Sequence, residues 1–333
     1  MSVSKSANTG LIALAFAAVY IIWGSTYLAI HVCVKTMPPF LMAGTRFLLA
    51  GLILLTIMRS FDRAPITWPQ WRAAAIIGAL LLVGGNGLVC WAQQWVPSGI
   101  AGLLIATAPL WFAMLEWLVF RGARPTAGVF AGIAVGLLGI FLLLDPTAST
   151  ERRLETRGVV ALLAACFCWP LGSLYSRRAP RPASPLTATA TQMLCGGGAL
   201  VIVAALTGDF AKLDVGAITL NAWLAWLYLL VAGSIVAFSA YVWLLRVCSP
   251  ALVSTYAFVN PVIAVGLGWL VGETPMTPKT ALAMGVVLVG VIIITLSPKR
   301  IVKAVPQAGQ ISADHEDPVL TTAGPSSVSE RSA

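Results

Sequence analysis

Fixed charge is scarce in this 333-residue chain: Asp, Glu, Lys and Arg together make up 10% of it, with 12 acids and 2 histidines. Inside the long apolar runs the charged or imidazole groups are Arg46, Glu116 and a peripheral His31. Such a set lacks the convergent His, Asp, Glu or Cys constellation that a membrane enzyme needs, so a transporter rather than an enzyme is expected. No phosphate-cradling P-loop is present, which disfavours ATP-driven pumping by this chain. Repeating polar rings and a folded soluble module are also missing, which disfavours a channel or a scaffold. Cys33, Cys90, Cys166, Cys168, Cys195 and Cys248 lie in or at the edges of apolar segments. Cys166 and Cys168 point to different sides of a helix, so neither a disulfide framework nor a zinc site is indicated, and no cofactor or metal is expected.

What the chain has in excess is apolar surface: 59% hydrophobic residues, against about 45–50% in soluble domains, and a mean hydropathy of +0.89. This is the composition of an all-α polytopic membrane protein. The net charge of +9 comes from basic residues concentrated in short connectors, where they set orientation rather than bind nucleic acid.

Residues 86–118 are two apolar runs joined at Val96, Pro97 and Ser98, and the second run carries Pro109 in its interior. Proline removes a backbone hydrogen bond, which membrane helices tolerate where backbone lines a cavity. Trp91, Pro109 and Trp117 recur 152 residues later as Trp243, Pro261 and Trp269; Trp23 recurs 146 residues later as Trp169, and Pro39, Thr45 and Arg46 as Pro185, Thr191 and Gln192. Ten spans of bilayer-crossing length are expected. In the first half they cover 11–34, 39–58, 73–95, 98–120 and 127–144, and in the second 158–175, 186–207, 220–245, 250–271 and 281–296. An odd number of spans per half makes the copies enter the membrane from opposite sides, so the expected fold is two inverted five-helix repeats, residues 1–147 and 148–298, followed by a disordered cytoplasmic tail, 299–333. Basic residues crowd the side of the amino terminus, which places both termini in the cytoplasm. Gly128, Gly132, Gly136 and Gly139 mark the fifth span as a packing element.

The stretches YIIWGSTYLAI, PPFLMAGTRFLLAG and GNGLVCWAQQWVPSGIAGLLIATAPLW in the first half, with SAYVWLLRVCSPALVSTYAFVNPVIAVGLGWLVGE and GVVLVGV in the second, carry a family likeness. The chain resembles the EamA family of the drug/metabolite transporter superfamily, bacterial inner-membrane exporters. That resemblance implies ten helices in two inverted halves, a central cavity and export of small metabolites or toxic compounds. It names no single substrate. The family often ends the fourth span with a Gly-Glu pair; the second half keeps it as Gly272 and Glu273, whereas the first half reads Phe120 and Arg121.

Trp23, Asn86, Trp91, Thr107, Trp169, Tyr241, Tyr256 and Asn260 are the candidate substrate contacts, aromatic walls and neutral polar groups beside the proline-marked helices. Interhelical hydrogen bonding and aromatic packing remain the competing readings, including for the Tyr20, Trp23 and Tyr27 stripe. Arg46 and Glu116 are the coupling or gating candidates. Arg46 reads either as an anion-attracting group or as an Arg bonded to backbone carbonyls at a helix break. Glu116 reads either as a proton-exchanging carboxylate or as a side chain pairing with basic residues at the inner interface. The expected partners are a small-molecule substrate, the lipid bilayer and protons as a candidate coupling ion, with a homodimer left open. Import or facilitated flow of a metabolite is the alternative to export.

Overall fold

The computed structural model describes residues 9–61, 63–122, 124–144, 155–271 and 277–297. The expected tail, Gly272, Glu273 and most of the 145–157 connector lie outside the described residues. Those described are helical with no strand: α1 Thr9–Val34, α2 Pro39–Phe61, α3 Trp68–Ala92, α4 Ser98–Ile105, α5 Ala108–Leu118, α6 Ala127–Leu144, α7 Thr156–Arg178, α8 Pro185–Leu206, α9 Leu220–Val247, α10 Pro250–Val253, α11 Tyr256–Leu270 and α12 Pro278–Leu296. Six of them, α1, α2, α3, α7, α8 and α9, are long and apolar enough to cross a membrane. Exposed Leu14, Ile21, Leu52, Ile202, Leu206 and Leu224 face outward, as lipid contact requires.

Several elements extend past the expected bounds. α3 begins at Trp68 because Gln70 Oε1 accepts the Thr67 amide at 3.0 Å, which draws Trp71 and Arg72 into helix. α7 and α9 run on to Arg178 and Val247, so Arg177, Arg178 and Arg246 occupy last turns, where cations suit the helix dipole. The run 98–120 is broken between α4 and α5, and the run 250–271 between α10 and α11. At each break a threonine closes a tight turn: Thr107 Oγ1 donates to Leu104 O (2.8 Å) and Thr255 Oγ1 to Leu252 O (2.6 Å). The first break stands just before Pro109, whereas Pro261 sits inside the continuous α11. The breaks are thus 148 residues apart where the prolines are 152 apart, one helical turn out of step.

α3 and α9 each widen to a nine-residue π-helical stretch, Ala79–Gly87 and Leu229–Ala237, a form enriched at functional sites. α2 packs on α8, and α6 on α12. In the latter pair a Cβ on Gly290 would fall 2.7 Å from Gly136 N and 2.8 Å from Gly132 O, so these backbones approach this closely only because residue 290 is glycine. Between the helices lies a core that includes Ile30, Phe47, Leu82, Met193, Phe238 and Leu244.

Candidate substrate cavity

α1, α2, α3, α4, α5, α7, α9 and α11 surround a cavity of ≈ 80 Å³. That is space for several waters or a small organic group. α1 contributes Trp23, Thr26 and Tyr27; α2 contributes Arg46 and Phe47; the π-helical turns contribute Gly85 with Asn86 and Gly233 with Ser234. Trp169, Phe238, Tyr256 and Asn260 complete the aromatic and amide lining.

Trp23 and Trp169 meet edge to face, with centroids 5.4 Å apart and planes at 85°. Each reaches into the wide turn of the other half. Trp23 Nε1 donates to Gly233 O at 3.2 Å, and the Trp169 ring lies so close to Gly85 that a Cβ there would stand 2.6 Å from its Cε3. Behind them is Tyr241, fully buried, whose hydroxyl accepts from Trp169 Nε1 at 2.9 Å and bonds Ser173 at 2.6 Å. Tyr241 therefore holds Trp169 without lining the cavity.

The polar edge is built around Arg46. Its Nη2 donates to Asn86 Oδ1 at 2.6 Å, and its guanidinium carbon lies 4.3 Å from the Phe47 ring centroid. Asn260 caps the other edge, its amide nitrogen facing Tyr256 O at 3.0 Å and Tyr20 O at 3.3 Å. The aromatic stripe of α1 divides its duties: Trp23 and Tyr27 line the cavity, and Tyr20 bonds Thr255 at the helix break (2.5 Å).

Of the residues singled out from sequence, Trp23, Arg46, Asn86, Trp169, Tyr256 and Asn260 thus come together, with Tyr241 directly behind. Trp91, Thr107 and Glu116 do not join them. Trp91 follows Asn86 by five residues, about 140° around a helix, and packs edge-on against Trp95 at 4.7 Å. Thr107 Oγ1 donates to Leu104 O in the α4–α5 turn and meets Cys166 behind the lining. Glu116 is half-buried near the end of α5, with Arg177 and Arg178 as its neighbouring charges. Sequence reasoning missed Phe238, Cys166, Gly85 and the Gly233–Ser234 pair; the 148-residue spacing between Gly85–Asn86 and Gly233–Ser234 was the available signal.

The two ends of the bundle are tied differently. At one, Arg177 Nη1 donates to Cys248 O (3.2 Å), Arg246 Nη1 to Ala183 O (2.8 Å) and Arg178 to Phe120 O. Burial, and then the Arg177 charge, lowers the pKa of Arg181 in the same cluster. At the other end buried Asp209 accepts the amides of Phe40 (3.0 Å) and Leu41 (3.3 Å) at the start of α2.

The profile of the EamA-like transporter family matches the chain twice, over residues 10–145 and 156–296. The chain belongs to this family. The inner membrane transporter YedA of Escherichia coli K12 is 39% identical over 282 residues, 84% of this chain and 89% of its own. Protein PecM of Dickeya dadantii is 29% identical, over 82% of this chain and 86% of its own. A probable amino-acid metabolite efflux pump of Salmonella typhimurium is 27% identical over 50% of this chain and 54% of its own. A solved crystal structure with 22% sequence identity superposes at a TM-score of 0.67 over 87% of this chain and 98% of that one, a likeness of fold. The EamA-family chain is therefore a polytopic membrane transporter.

Proposed function

We propose that this EamA-family chain is a secondary carrier that exports small, partly apolar metabolites or drug-like compounds across a bacterial inner membrane by alternating access. The observation that carries the reading is the cavity between the halves, where Trp23 touches Gly233 and Trp169 touches Gly85 in reciprocal fashion. Reciprocal contacts of this kind let one half rock against the other around a central ligand. In this reading the chain crosses the bilayer ten times, as two inverted five-helix halves of residues 1–147 and 148–298, with a cytoplasmic tail and both termini inside. The doubled helix breaks, the doubled π-helical stretches and the twofold family match support the repeat. The cluster of Arg177, Arg178, Arg181 and Arg246 supports the cytoplasmic assignment of its end. Trp23, Asn86, Trp169, Tyr256 and Asn260 contact substrate, Arg46 is the charged contact, and Glu116 belongs to the inner gate with Arg177 and Arg178. YedA is named an inner membrane transporter and the Salmonella relative an efflux pump, which favours this location and outward transport. A metabolite and toxicant screen comparing deletion with overexpression, followed by flux in reconstituted vesicles, tests the reading. Resistance or efflux for at least one compound is expected; uptake alone would overturn the export direction.

A further inference from the structure

Arg46 is 2% exposed and lies seven residues into α2, on the wall of the cavity. Its one side-chain hydrogen bond among the described residues goes to a neutral amide, Asn86, and its Nε is buried without a partner. The ion pairs among the described residues join Arg157 to Glu155 and Lys212 to Asp209, and neither includes it. Cys33 and Cys90 face it from α1 and α3 as thiols. Its counterpart in the second half, Gln192, is neutral. No backbone carbonyl among the described residues accepts from it, so it is not a clamp on a broken helix.

A guanidinium does not shed its proton in a protein, and a buried charge requires a partner. Among the described residues the chain supplies the Asn86 amide and the Phe47 ring but no anionic partner, and the charge borders the cavity. We propose that Arg46 is the counter-ion for a carboxylate on the transported molecule, so that the cavity takes small amphipathic monocarboxylates. This deepens the carrier reading and rests on the cavity being its substrate site. The planar fork matches a carboxylate through two parallel N–H···O bonds, and Asn86 occupies one of its five donors. Arg46 is the charged residue in the lining, so a doubly charged phosphate would leave an unbalanced negative charge. The rest of the wall near it, Phe47, Trp23, Trp169 and Phe238, suits a flat or branched apolar body.

The test uses the purified full chain and three acid–amide pairs: indole-3-acetate, phenylacetate and isovalerate, each against its primary amide at pH 7.5. Binding is read by tryptophan fluorescence and by thermal shift. At least one acid is expected to bind about tenfold or more tightly than its amide, the discrimination that a charge-assisted hydrogen bond supplies. Arg46→Gln, checked for a monodisperse folded species, brings acid and amide to within about twofold, while Arg46→Lys keeps the preference for acid. The proposal is overturned if every acid binds no better than its amide, if Arg46→Gln keeps the discrimination, or if chloride alone protects as well as the acids and abolishes it. Should Arg46→Gln not fold, the acid–amide pairs on the unmodified chain and on Arg46→Lys decide. Acid-selective binding with no vesicle flux of any compound would remove the carrier reading alone, since binding is read without transport.

Discussion

Arg121 has a φ of 50°, the left-handed region, and is the non-glycine residue so placed among those described. It lies in the turn that follows α5, where Gly122 N bonds Glu116 O at 2.7 Å, and its left-handed conformation is one that glycine adopts without steric cost. Arg121→Gly is expected to stabilise the protein by about 1 kcal/mol, the steric cost of the left-handed conformation, seen as a higher unfolding midpoint. A lower midpoint would mean that contacts of the Arg121 side chain outweigh its backbone strain. Five residues earlier, Glu116 faces Arg177 and Arg178 rather than the cavity. Glu116→Gln is therefore expected to lower flux per folded protein by loosening this end of the bundle while leaving the pH dependence of flux in place. A flattened pH profile would instead make Glu116 a proton-coupling group.

Two corresponding helices solve the same end problem in different ways. α8 begins Ser184–Pro185, and Ser184 Oγ accepts the Thr187 amide at 3.3 Å. α2 begins Pro38–Pro39, which offers no capping side chain, so its free amides turn to Asp209 in the connector after α8. Pairing and capping thereby coincide at one end of the α2–α8 contact. Asp209→Ala is expected to destabilise the protein by about 1–3 kcal/mol, because two buried amides lose a charged acceptor. Chemical denaturation in mild detergent reads this, and Asp209→Asn should retain part of the stability. An unchanged midpoint for Asp209→Ala would mean that water satisfies those amides.

At the scale of the molecule, Phe120, Arg177, Arg178, Ala183, Arg246 and Cys248 gather at one end, while Phe40, Leu41 and Asp209 meet at the other. That alternation is what antiparallel neighbours of membrane-spanning length produce. Reporter fusions within residues 145–157 are expected to read out as periplasmic, with both termini cytoplasmic. A cytoplasmic signal from that connector would break the inverted-repeat proposal.

The membrane class and the places of the long helices were legible in the sequence, because hydrocarbon demands about 20 apolar residues per crossing, and the matched tryptophans and prolines carried the proposal of a repeat that the twofold family match supports. Arg46 stood out for a related reason, as a charge within an apolar run. Which polar groups would meet was decided only by tertiary structure. The lipid face and the buried face of these helices are both apolar, so no amphipathic stripe states how each is rotated, and rotation selects Asn86 over Trp91 for the cavity. Prolines marked the broken helices but not the place of the second break, which Thr255 closes well over one turn before Pro261. Asp209 reads in sequence as a connector charge; the close packing of α2 on α8 makes it the cap of a helix about 170 residues away in the chain.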